Sequence, residues 1–451
     1  MVDDADGSLS VDADVLVLGA GISGLVSASV LLGQGAGRVV VVDGYPHVGG
    51  NHLDAHLGPY TFDIGSLVFQ DDSPLLAHFP DLLPRYVPIE PTWERLNPQG
   101  RVTAYPFSVT DDLLAAGPLE LARLLGSALV SRLRRRPQHT ARDFAEHWLG
   151  PRFVHRSGLD TYMERFCGVP TEQIDLEFAH KRMMWIPKNA SAGELTRKVT
   201  DLVRARLGRP RPQPAPENQQ LARPREGFAH LYEPAVASLE AKGTRFVLGA
   251  ELQRLERDGE GFVLSTSGGE VRASRVVSTV PVDVALDLCG LREAGEEPLP
   301  VVRLVSLYYS FSGRRGHDAP VLYNFSHEGT WKRLTTYSDF YGPAEGREFL
   351  GVEVVSSRGG QSVEDAAADF RRHTAANGLF EGDLRLEGSH VLDHAYPIYT
   401  RGSAARARAA MARLEAWGVE SLGRQGAFEY QPTARHSTVE AEAFLARDPS
   451  S

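Results

Sequence analysis

The sequence predicts an α/β fold in which a Rossmann-type dinucleotide-binding domain carries an inserted, mixed α+β substrate domain made of an antiparallel sheet and helices. An apolar run at residues 14–18 opens directly into glycines, a helical stretch covers about 23–33, and a second, β-branched run covers 38–43. Strand, helix and strand within about 30 residues form one βαβ unit. Helical spacing then dominates from 113 to about 182, and strand patterns return at 244–280. This change of pattern predicts two kinds of domain.

The bulk properties limit the classes of protein to which the chain can belong. Its 451 residues exceed what one hydrophobic core usually serves, and its net charge of −10 argues against a nucleic-acid binder. Only two cysteines are present, which excludes a disulfide framework and a cysteine-rich metal site. The first ten residues do not resemble a signal peptide, and no apolar run reaches the roughly 18 residues of a membrane span. We therefore expect a cytoplasmic enzyme.

Further elements are predicted in order along the chain. Helical patterns cover 113–136 and 140–182, and a proline-rich stretch at 208–216 predicts a loop. The runs 250–257 and 261–266 flank the turn residues 258–261 and predict a hairpin. Strands are expected at 275–281, 301–311, 321–324, 333–337 and 349–356, and helices at 363–376, 403–416 and 437–446.

These elements predict how the domains are assembled from the chain. Segments 12–100, 226–300 and 401–451 are expected to form the cofactor domain. Segment 101–225 is expected to be a largely helical insertion, and 301–400 the sheet of the substrate domain. The basic run 132–136 ends a helix, where it complements the helix dipole. Docking of this helix on a membrane surface is the less favoured interpretation.

The glycines after the first strand form a dinucleotide fingerprint. Gly19 permits the tight turn, Gly21 lets the backbone approach a pyrophosphate, and Gly24 lets the helix press on the strand. Ile22 and Ser23 open the helix, whose N-terminus offers free N–H groups to the phosphates. Asp43 ends the second strand, where a carboxylate accepts hydrogen bonds from ribose hydroxyls. The sequence therefore predicts a nucleotide site.

The residues that follow favour FAD as the nucleotide, and NAD stays the alternative. A second glycine stretch runs from Gly44 to Gly49, Gly50 and Asn51. It resembles the extended motif of the FAD-binding family that includes amine oxidases, protoporphyrinogen oxidases and UDP-galactopyranose mutases. The segment from Asp63 through Gly65 and Ser66 is similar to the part of that family that passes near the flavin ring. The resemblance implies that the Rossmann-type domain binds FAD.

Within that group, the chain most resembles the UDP-galactopyranose mutases. The similar segments lie in the same order over nearly the whole chain, at 49–51, 105–107, 162–168, 324–333, 396–397, 423–424 and 437–445. The resemblance implies that Arg333, Tyr396 and Trp331 face the substrate. It also implies that Gly423, Arg424, Ser437 and Thr438 contact the flavin. The chain departs from the mutases at Leu67, Cys167 and Trp331, where they carry histidine, tryptophan and tyrosine.

The resemblance implies an enzyme that acts on a nucleotide-linked or otherwise activated sugar through reduced flavin N5, without net redox change. The alternative is an FAD-dependent oxidoreductase that takes hydride from its substrate, and a flavin-binding protein without turnover is a third class. Arginine and tyrosine side chains suit the phosphate oxygens of a sugar nucleotide. A surface arginine at 333 and core positions for Tyr396 and Trp331 are the structural alternatives.

The remaining reactive side chains give weaker predictions. Lys181 and Arg182 are candidates to reach a phosphate, whereas His47 and His52 are interpreted as loop residues and Cys167 as a buried thiol. No histidine, cysteine and acid spacing typical of a metal site is present, so no metal is predicted. The expected partner is a small molecule, with no nucleic acid, and the chain is a candidate homodimer.

Overall fold

The computed structural model describes residues 9–65, 68–134, 137–189, 218–356 and 360–447. Its strands are β1 (Leu9–Leu18), β2 (Val39–Asp43), β3 (Asp54–Leu57), β4 (Tyr60–Asp63), β5 (Phe69–Gln70), β6 (Val87–Ile89), β7 (Trp93–Leu96), β8 (Val102–Ala104), β9 (Gln220–Ala222), β10 (Thr244–Leu248), β11 (Leu252–Asp258), β12 (Gly261–Thr266), β13 (Gly269–Ser278), β14 (Arg303–Arg315), β15 (Val321–Asn324), β16 (Trp331–Thr336), β17 (Glu348–Ser356), β18 (Phe380–Leu392) and β19 (Val419–Ser421). Its helices are α1 (Ile22–Gly33), α2 (Leu75–His78), α3 (Pro118–Leu133), α4 (Ala141–Leu149), α5 (Pro151–Arg156), α6 (Leu159–Cys167), α7 (Leu176–Arg182), α8 (Trp185–Asn189), α9 (Phe228–Ala241), α10 (Val282–Leu288), α11 (Ser338–Tyr341), α12 (Val363–Ala376), α13 (Ser403–Trp417), α14 (Gly423–Gly426) and α15 (Ala434–Leu445).

The first sheet confirms the predicted βαβ unit. Its order is β10-β2-β1-β13-β12-β11, with β19 pairing to β13, and β10, β2, β1, β13 and β19 run parallel. The four valines of β2 are buried, as a strand covered on both faces requires. Helices α1, α9 and α15 cover one face, and α10 and α13 cover the other. The carboxyl ends of β1 and β2 therefore meet at one edge of a three-layer unit.

The second sheet is mostly antiparallel, with the order β18-β14-β17-β16-β15-β7-β8. One face packs against the core that includes helices α4 to α7, and the other face packs against α12. Strands β7 and β8 come from residues before 105, so the segment 12–100 also contributes to this sheet. The hairpin predicted at 250–266 is confirmed, with Asp258 paired to Gly261.

Glycines divide the region in which the sequence shows one long helical pattern. Gly150, Gly158 and Gly168 have φ values of +80°, +74° and +68°, and helices begin or end at each of them. Helix α3 ends at Leu133, three residues before the predicted end, and Arg135 and Arg136 lie outside the described residues. The predicted loop at 208–216 also lies outside them.

Helix α9 and strand β18 are among the elements that were not predicted from the sequence. Helix α9 contains Pro234, and a proline in a helix interior argues against a helix. Strand β18 is rich in charged and exposed residues, because it is the edge strand of the second sheet.

None of the described helices is by itself long and apolar enough to cross a membrane. The stretches Thr110–Ala116 and Pro118–Leu133 pass that test only when taken together, and they are bent by 116° where they join.

Candidate active site

The first part of the site is the turn between β1 and α1. Gly21 is the N-cap of α1, no side chain caps this helix end, and its first turn has no acidic residue. The first N–H groups of a helix lack partners within the helix, and the helix dipole places partial positive charge there. This helix end is therefore suited to bind phosphate oxygens.

Two glycines bring backbone segments into close contact at this turn. A Cβ at Gly24 would lie 1.9 Å from the carbonyl oxygen of Gly19, so only glycine lets α1 press on the turn. Gly50 has a φ of +60°, and a Cβ there would lie 3.0 Å from the Cα of Gly21. The N–H of Gly49 donates to the carbonyl of Ala20 at 2.8 Å. The two glycine stretches thus lie side by side at the N-terminus of α1, where no side chains cover their backbone atoms.

Asp43 lies beside the turn at the end of β2. Its Oδ2 accepts the Ala20 N–H at 2.6 Å, and its Oδ1 accepts the Tyr45 N–H at 2.8 Å. Burial raises the pKa of Asp43, and the two backbone donors oppose that rise. The carboxyl group is held where the ribose hydroxyls of a dinucleotide would donate to it.

These groups line a cavity of about 450 Å³, here named the cofactor cavity. Its volume lies within the range of small-molecule sites. The predicted residues that line it are Gly19, Gly21, Ile22, Ser23, Asp43, Gly44, Gly49, Gly50, Asn51, Arg424 and Ser437. Uncapped helix N–H groups, closely approaching glycines and a fixed carboxyl group are the set that a dinucleotide requires. The residues present therefore fit the predicted FAD.

Other predicted cofactor residues lie behind this lining or away from it. Gly24 and Gly423 are packing positions, since a Cβ at Gly423 would lie 2.6 Å from the Ser23 hydroxyl oxygen. Thr438 is fully buried and donates to the carbonyl of Ala434 at 2.9 Å. Gly65 lines the second cavity described below. Ser66 and Leu67 lie outside the described residues.

Asp63 was predicted to contact the cofactor, but it is buried in an ion pair and lines neither cavity. Its Oδ1 accepts from Nε of Arg223, which also donates from Nη2 to the carbonyl of Thr61 at 2.8 Å. Burial raises the pKa of Asp63 to about 6, although Arg223 opposes the rise. Arg223 directly follows β9 and is 160 residues from Asp63 along the chain, so no pattern in the sequence predicted this pair. Asp63 therefore has a structural role at the end of β4, two residues before Gly65.

Sequence reasoning did not assign several residues that line the cofactor cavity. These are Tyr45, His52, Thr279, Val280, Pro281, Val284, His394, Gln425 and Ala434. The residues 279–281 follow β13, which pairs in parallel with β1. Ligands of open α/β sheets bind beyond the carboxyl ends of such strands, so this general rule is a signal that could have identified them.

A second, smaller cavity of about 150 Å³ adjoins the cofactor cavity, and it is here named the substrate cavity. Asn51 and Arg424 line both cavities. The predicted residues Arg333 and Tyr396 line the substrate cavity, and so does Arg182. Arg182 is exposed, so the cavity reaches solvent on its side. The two cavities therefore form one continuous site with the shared side chains at its centre.

A β-bulge in β16 places two adjacent cations in the substrate cavity. The pairing of β16 with β17 shifts between Trp331 and Arg333, so Lys332 is the extra residue. Lys332 and Arg333 then both line the cavity, although adjacent residues of a regular strand point to opposite faces. The resemblance that assigned Trp331 and Arg333 to the site did not include Lys332, and no pattern in the sequence predicted the bulge.

The same bulge explains why the prediction that Trp331 faces the substrate is wrong. Its side chain is fully buried on the opposite face of the sheet, where Nε1 donates to Nδ1 of His373 at 2.9 Å. Trp331 is thus a core residue that does not line the substrate cavity, and its departure from the mutase pattern does not alter the cavity wall.

Glu353 forms ion pairs with both cations of the bulge. Its Oε2 lies 2.6 Å from Nζ of Lys332, and its Oε1 accepts from Nη2 of Arg333. Burial alone would raise the pKa of Glu353, but Arg333 and Lys332 together lower it. Arg333 also donates to the carbonyl of Gly65 at 2.9 Å, whereas its buried Nε has no hydrogen-bond partner among the described residues. Glu353 thereby holds both cations in the wall of the substrate cavity.

Tyrosines complete the wall of the substrate cavity. The hydroxyl of Tyr396 donates to the carbonyl of Phe166 at 2.8 Å and lies 3.4 Å from Nζ of Lys332. Burial raises the pKa of Tyr396, so this hydroxyl keeps its proton at neutral pH. Tyr162, Tyr323 and Tyr430 also line the cavity.

The charged side chains that line the described part of the substrate cavity are four cations and one carboxylate. They are Arg182, Lys332, Arg333, Arg424 and Glu353. Arg182 lies over the rings of Phe166 and Tyr430, at 5.3 and 5.0 Å from their centroids. Among the described residues, no carboxylate forms an ion pair with Arg182 or Arg424. The cavity therefore carries an excess of positive charge that favours an anionic ligand.

Other candidate side chains lie away from both cavities. Nζ of Lys181 is 2.7 Å from Oε1 of Glu429, and the His47 ring stacks on Tyr45. Cys167 is buried, which raises the pKa of its thiol and keeps it protonated. Each of these side chains has a structural role.

One surface group in the described chain brings metal-ligating atoms together, although the sequence predicted no metal. It consists of His155, Asp160 and His327. The two imidazole rings stack at 4.4 Å with 15° between their planes. In-plane lone pairs of parallel rings do not converge on one ion, so we assign no metal to this group.

His52 gives a testable pH dependence. Its Nδ1 lies 2.5 Å from the Tyr232 hydroxyl and its ring stacks on Phe228. Burial, and secondarily Arg424, lower the pKa of His52 to about 3. The unfolded chain binds this proton near pH 6.5 and the folded chain does not, so stability is lost as pH falls below that value. We expect a loss of up to about 1.4 kcal/mol per pH unit from this group.

Urea unfolding at neutral pH and at about pH 5 measures this loss, and His52→Gln should remove it. His56→Gln, at an exposed position on β3, should keep the slope of the unchanged protein. Equal slopes in the protein and in His52→Gln would contradict the assignment.

The sequence of the chain matches the profile of a known protein family. The profile of the family described as flavin containing amine oxidoreductase matches residues 22–314, which is more than half of the chain. No curated protein sequence matches the chain significantly.

Solved structures share the whole fold at low sequence identity. Reduced UDP-galactopyranose mutase gives a TM-score of 0.75 at 18% identity, over 96% of this chain and 94% of its own. A candidate protoporphyrinogen oxidase from Exiguobacterium sp. 255-15 gives 0.69 at 16%, over 97% and 98%. A putrescine oxidase mutant gives 0.59 at 15%, over 98% and 100%. At these identities the likeness establishes the fold and leaves the reaction to the residues of the site.

Proposed function

The chain belongs to the flavin containing amine oxidoreductase family, and from this premise we propose that it acts on an anionic, nucleotide-linked or otherwise activated sugar without net redox change. FAD is the cofactor of this family, and the uncapped end of α1, the two glycine stretches and Asp43 are the groups that hold it. When bound and reduced, FAD supplies a nucleophilic nitrogen, N5. The rest of the chemistry is binding and orientation by the protein.

The observation that carries the proposal is the charge of the substrate cavity. Four cations face one carboxylate there, and Arg182 and Arg424 have no carboxylate partner among the described residues. Guanidinium groups bind phosphate oxygens through paired N–H donors. A cationic amine would meet repulsion in this cavity, so the charge argues against a polyamine as the substrate. A diphosphate group, in contrast, is attracted by the same cations.

The site residues divide the work of substrate binding. Arg182 lies at the open side of the cavity and is proposed to bind the outer phosphate. Arg333 is held by Glu353 and the Gly65 carbonyl, and its guanidinium group is proposed to meet the inner phosphate or the sugar. Arg424 lies at the junction of the two cavities and is proposed to fix the ring against the flavin. Orientation of this kind contributes to catalysis without acid–base chemistry.

Binding of UDP to the FAD-loaded protein tests the charge argument. We expect Arg182→Met to raise the Kd for UDP by about 10- to 100-fold, since a hydrogen bond to a charged group contributes roughly 1.5–3 kcal/mol. Lys181→Met is the matched control, because this neighbour lies away from the cavity and pairs with Glu429. Calorimetric titration of both variants measures the difference. Equal Kd values for the two variants would refute the role of Arg182.

A separate experiment tests the reaction. Dithionite-reduced protein is mixed with UDP-sugars without oxygen, and the products are separated by chromatography. We expect interconversion of ring forms while the flavin stays reduced. Substrate-driven bleaching of oxidised flavin, with stoichiometric release of peroxide in air, would overturn the non-redox reaction.

A hydride-transferring oxidoreductase is the second candidate. It is supported by the family description, which names amine oxidoreductases. The cavity charge then requires an anionic reductant in place of a free amine. Bleaching by an anionic substrate and not by putrescine would support this candidate, so the two functions are distinguished by one absorbance measurement.

A further inference from the structure

Two side-chain amides hold the chain segment at the boundary between the cofactor cavity and the substrate cavity. The carbonyl oxygens of His394 and Ala395 accept from Nδ2 of Asn51 at 3.0 and 3.2 Å. The same two oxygens accept from Nε2 of Gln425 at 2.6 and 3.4 Å. His394 lines the cofactor cavity and Ala395 lines the substrate cavity, so both amides bind the backbone where the cavities adjoin.

The hydrogen bonds of Asn51 fix the orientation of its amide group. Nδ2 carries two N–H donors, and the carbonyl oxygens of residues 394 and 395 use both of them. The reversed orientation would place Oδ1 against two carbonyl oxygens, which have no proton to donate. Oδ1 is therefore the amide atom that points away from this backbone segment.

Oδ1 of Asn51 is an acceptor that a bound molecule can reach. No group in the described segments donates a hydrogen bond to it, and protein atoms do not enclose it. The side chain is half-buried and lines both cavities. A ligand that covers this oxygen without a donor would lose binding free energy, so the position favours a ligand that carries a donor there.

The diphosphate group of the substrate does not supply that donor. Ionised phosphate oxygens accept hydrogen bonds and donate none, so they match the four cations of the substrate cavity. The carboxylate in the same wall, Glu353, already accepts from two of these cations. An acceptor beside this group of donors therefore matches a different part of the substrate.

The sugar is the part of the substrate that lies beside Asn51. This step rests on the function proposed above, in which the anomeric carbon of the sugar meets the flavin. They meet at the junction of the two cavities, where Asn51 lies, whereas the nucleotide extends toward the exposed Arg182. A hydroxyl group has one O–H to donate and therefore suits this acceptor.

We propose that Oδ1 of Asn51 accepts a hydrogen bond from a ring hydroxyl of the substrate's sugar and makes the site selective for the hydroxylated sugar over its deoxy form. Gln425 binds the same two carbonyl oxygens, but of the two cavities it lines the cofactor cavity alone. It therefore holds the segment without contacting the sugar.

Binding of UDP-galactose and of its singly deoxygenated analogues to FAD-saturated protein tests the proposal. Loss of the hydroxyl that Asn51 accepts should raise the Kd of the unchanged protein by about 5- to 10-fold, as for a hydrogen bond between neutral groups. The same loss should change the Kd of Asn51→Ala by less than about 2-fold, because the partner is already missing. Gln425→Ala is the matched control and should keep the full difference. Calorimetric titration measures each Kd.

UDP without a sugar separates recognition of the sugar from general support of the cavity. Its Kd should agree within about 2-fold between Asn51→Ala and Gln425→Ala, because both variants lose two hydrogen bonds to the same backbone segment. A Kd for UDP that rises in Asn51→Ala alone would assign this residue to the shape of the cavity and overturn the proposal.

Three further outcomes would also count against the proposal. It is wrong if no single deoxygenation weakens binding to the unchanged protein, or if Asn51→Ala and Gln425→Ala respond alike to the analogues. It is also wrong if Asn51→Ala leaves every difference between the sugars in place and raises the Kd for FAD far more than Gln425→Ala does, because Oδ1 would then accept from an N–H of the flavin. If the unchanged protein binds none of these nucleotides, the proposed sugar-nucleotide function fails, and this inference fails with it.

Discussion

Gly24→Ala is expected to fold and to lose FAD. The added Cβ would lie 1.9 Å from the carbonyl oxygen of Gly19, and this oxygen is backbone that no rotamer change can move. Either α1 or the turn must shift, and both supply the N–H groups that face the phosphates. Overpacking costs roughly 1–3 kcal/mol where side chains can adapt, so we expect at least about a 100-fold rise in the Kd for FAD.

Gly33→Ala is the matched control for this loss. Gly33 ends the same helix, and a Cβ built there meets nothing within 4 Å. Flavin absorbance of the purified variants and fluorescence titration with FAD measure the difference, and circular dichroism checks the fold. If the Gly24→Ala protein binds FAD as tightly as the Gly33→Ala protein does, the turn does not contribute to binding of the cofactor.

Arg223→Met is expected to lower the free energy of unfolding by about 3–5 kcal/mol, because it leaves a buried carboxylate without its partner. Arg223 and Asp63 are 1% and 2% exposed. Within the described parts of the chain, Asp63 Oδ2 and Asp54 Oδ1 already lack hydrogen-bond partners, and no other group there is placed to compensate. The loss should shrink in mild acid, since an unpaired Asp63 takes up a proton there.

Arg225→Met controls for the loss of an arginine, because this neighbour is exposed and should change stability by less than about 0.5 kcal/mol. Arg223→Met combined with Asp63→Asn removes both charges and should recover much of the loss. Urea unfolding of the three variants measures these values. An Arg223→Met protein as stable as Arg225→Met would show that the ion pair contributes nothing.

The cofactor cavity was largely predictable because its determinants are local in sequence. The glycines from Gly19 to Gly24 and the acid at 43 belong to one βαβ unit, in which spacing fixes geometry. The diglycine at 49–50 follows within a few residues and bridges back to Gly21. Chain connectivity alone brings these parts together.

The substrate cavity was predicted only in part, because distant elements and one irregularity build it. Arg333 and Tyr396 line it as expected. Lys332 lines it only because of the bulge in β16, and no residue pattern predicts that bulge. Glu353 comes from a neighbouring strand, and its role depends on the register between β16 and β17. Trp331 was misplaced for the same reason, since the bulge reverses the face to which it points.

Asn51 and Arg424 belong to the walls of both cavities, so we expect the flavin and the substrate to affect each other's binding. Any adjustment of these side chains by the first ligand changes the affinity for the second, and linkage makes the effect equal in both directions. We expect both ligands to favour the same arrangement of these side chains, so a bound substrate analogue should lower the Kd for the flavin. Protein stripped of flavin should bind that analogue more weakly by the same factor. On this expectation, retention of the cofactor and recognition of the substrate form one coupled equilibrium.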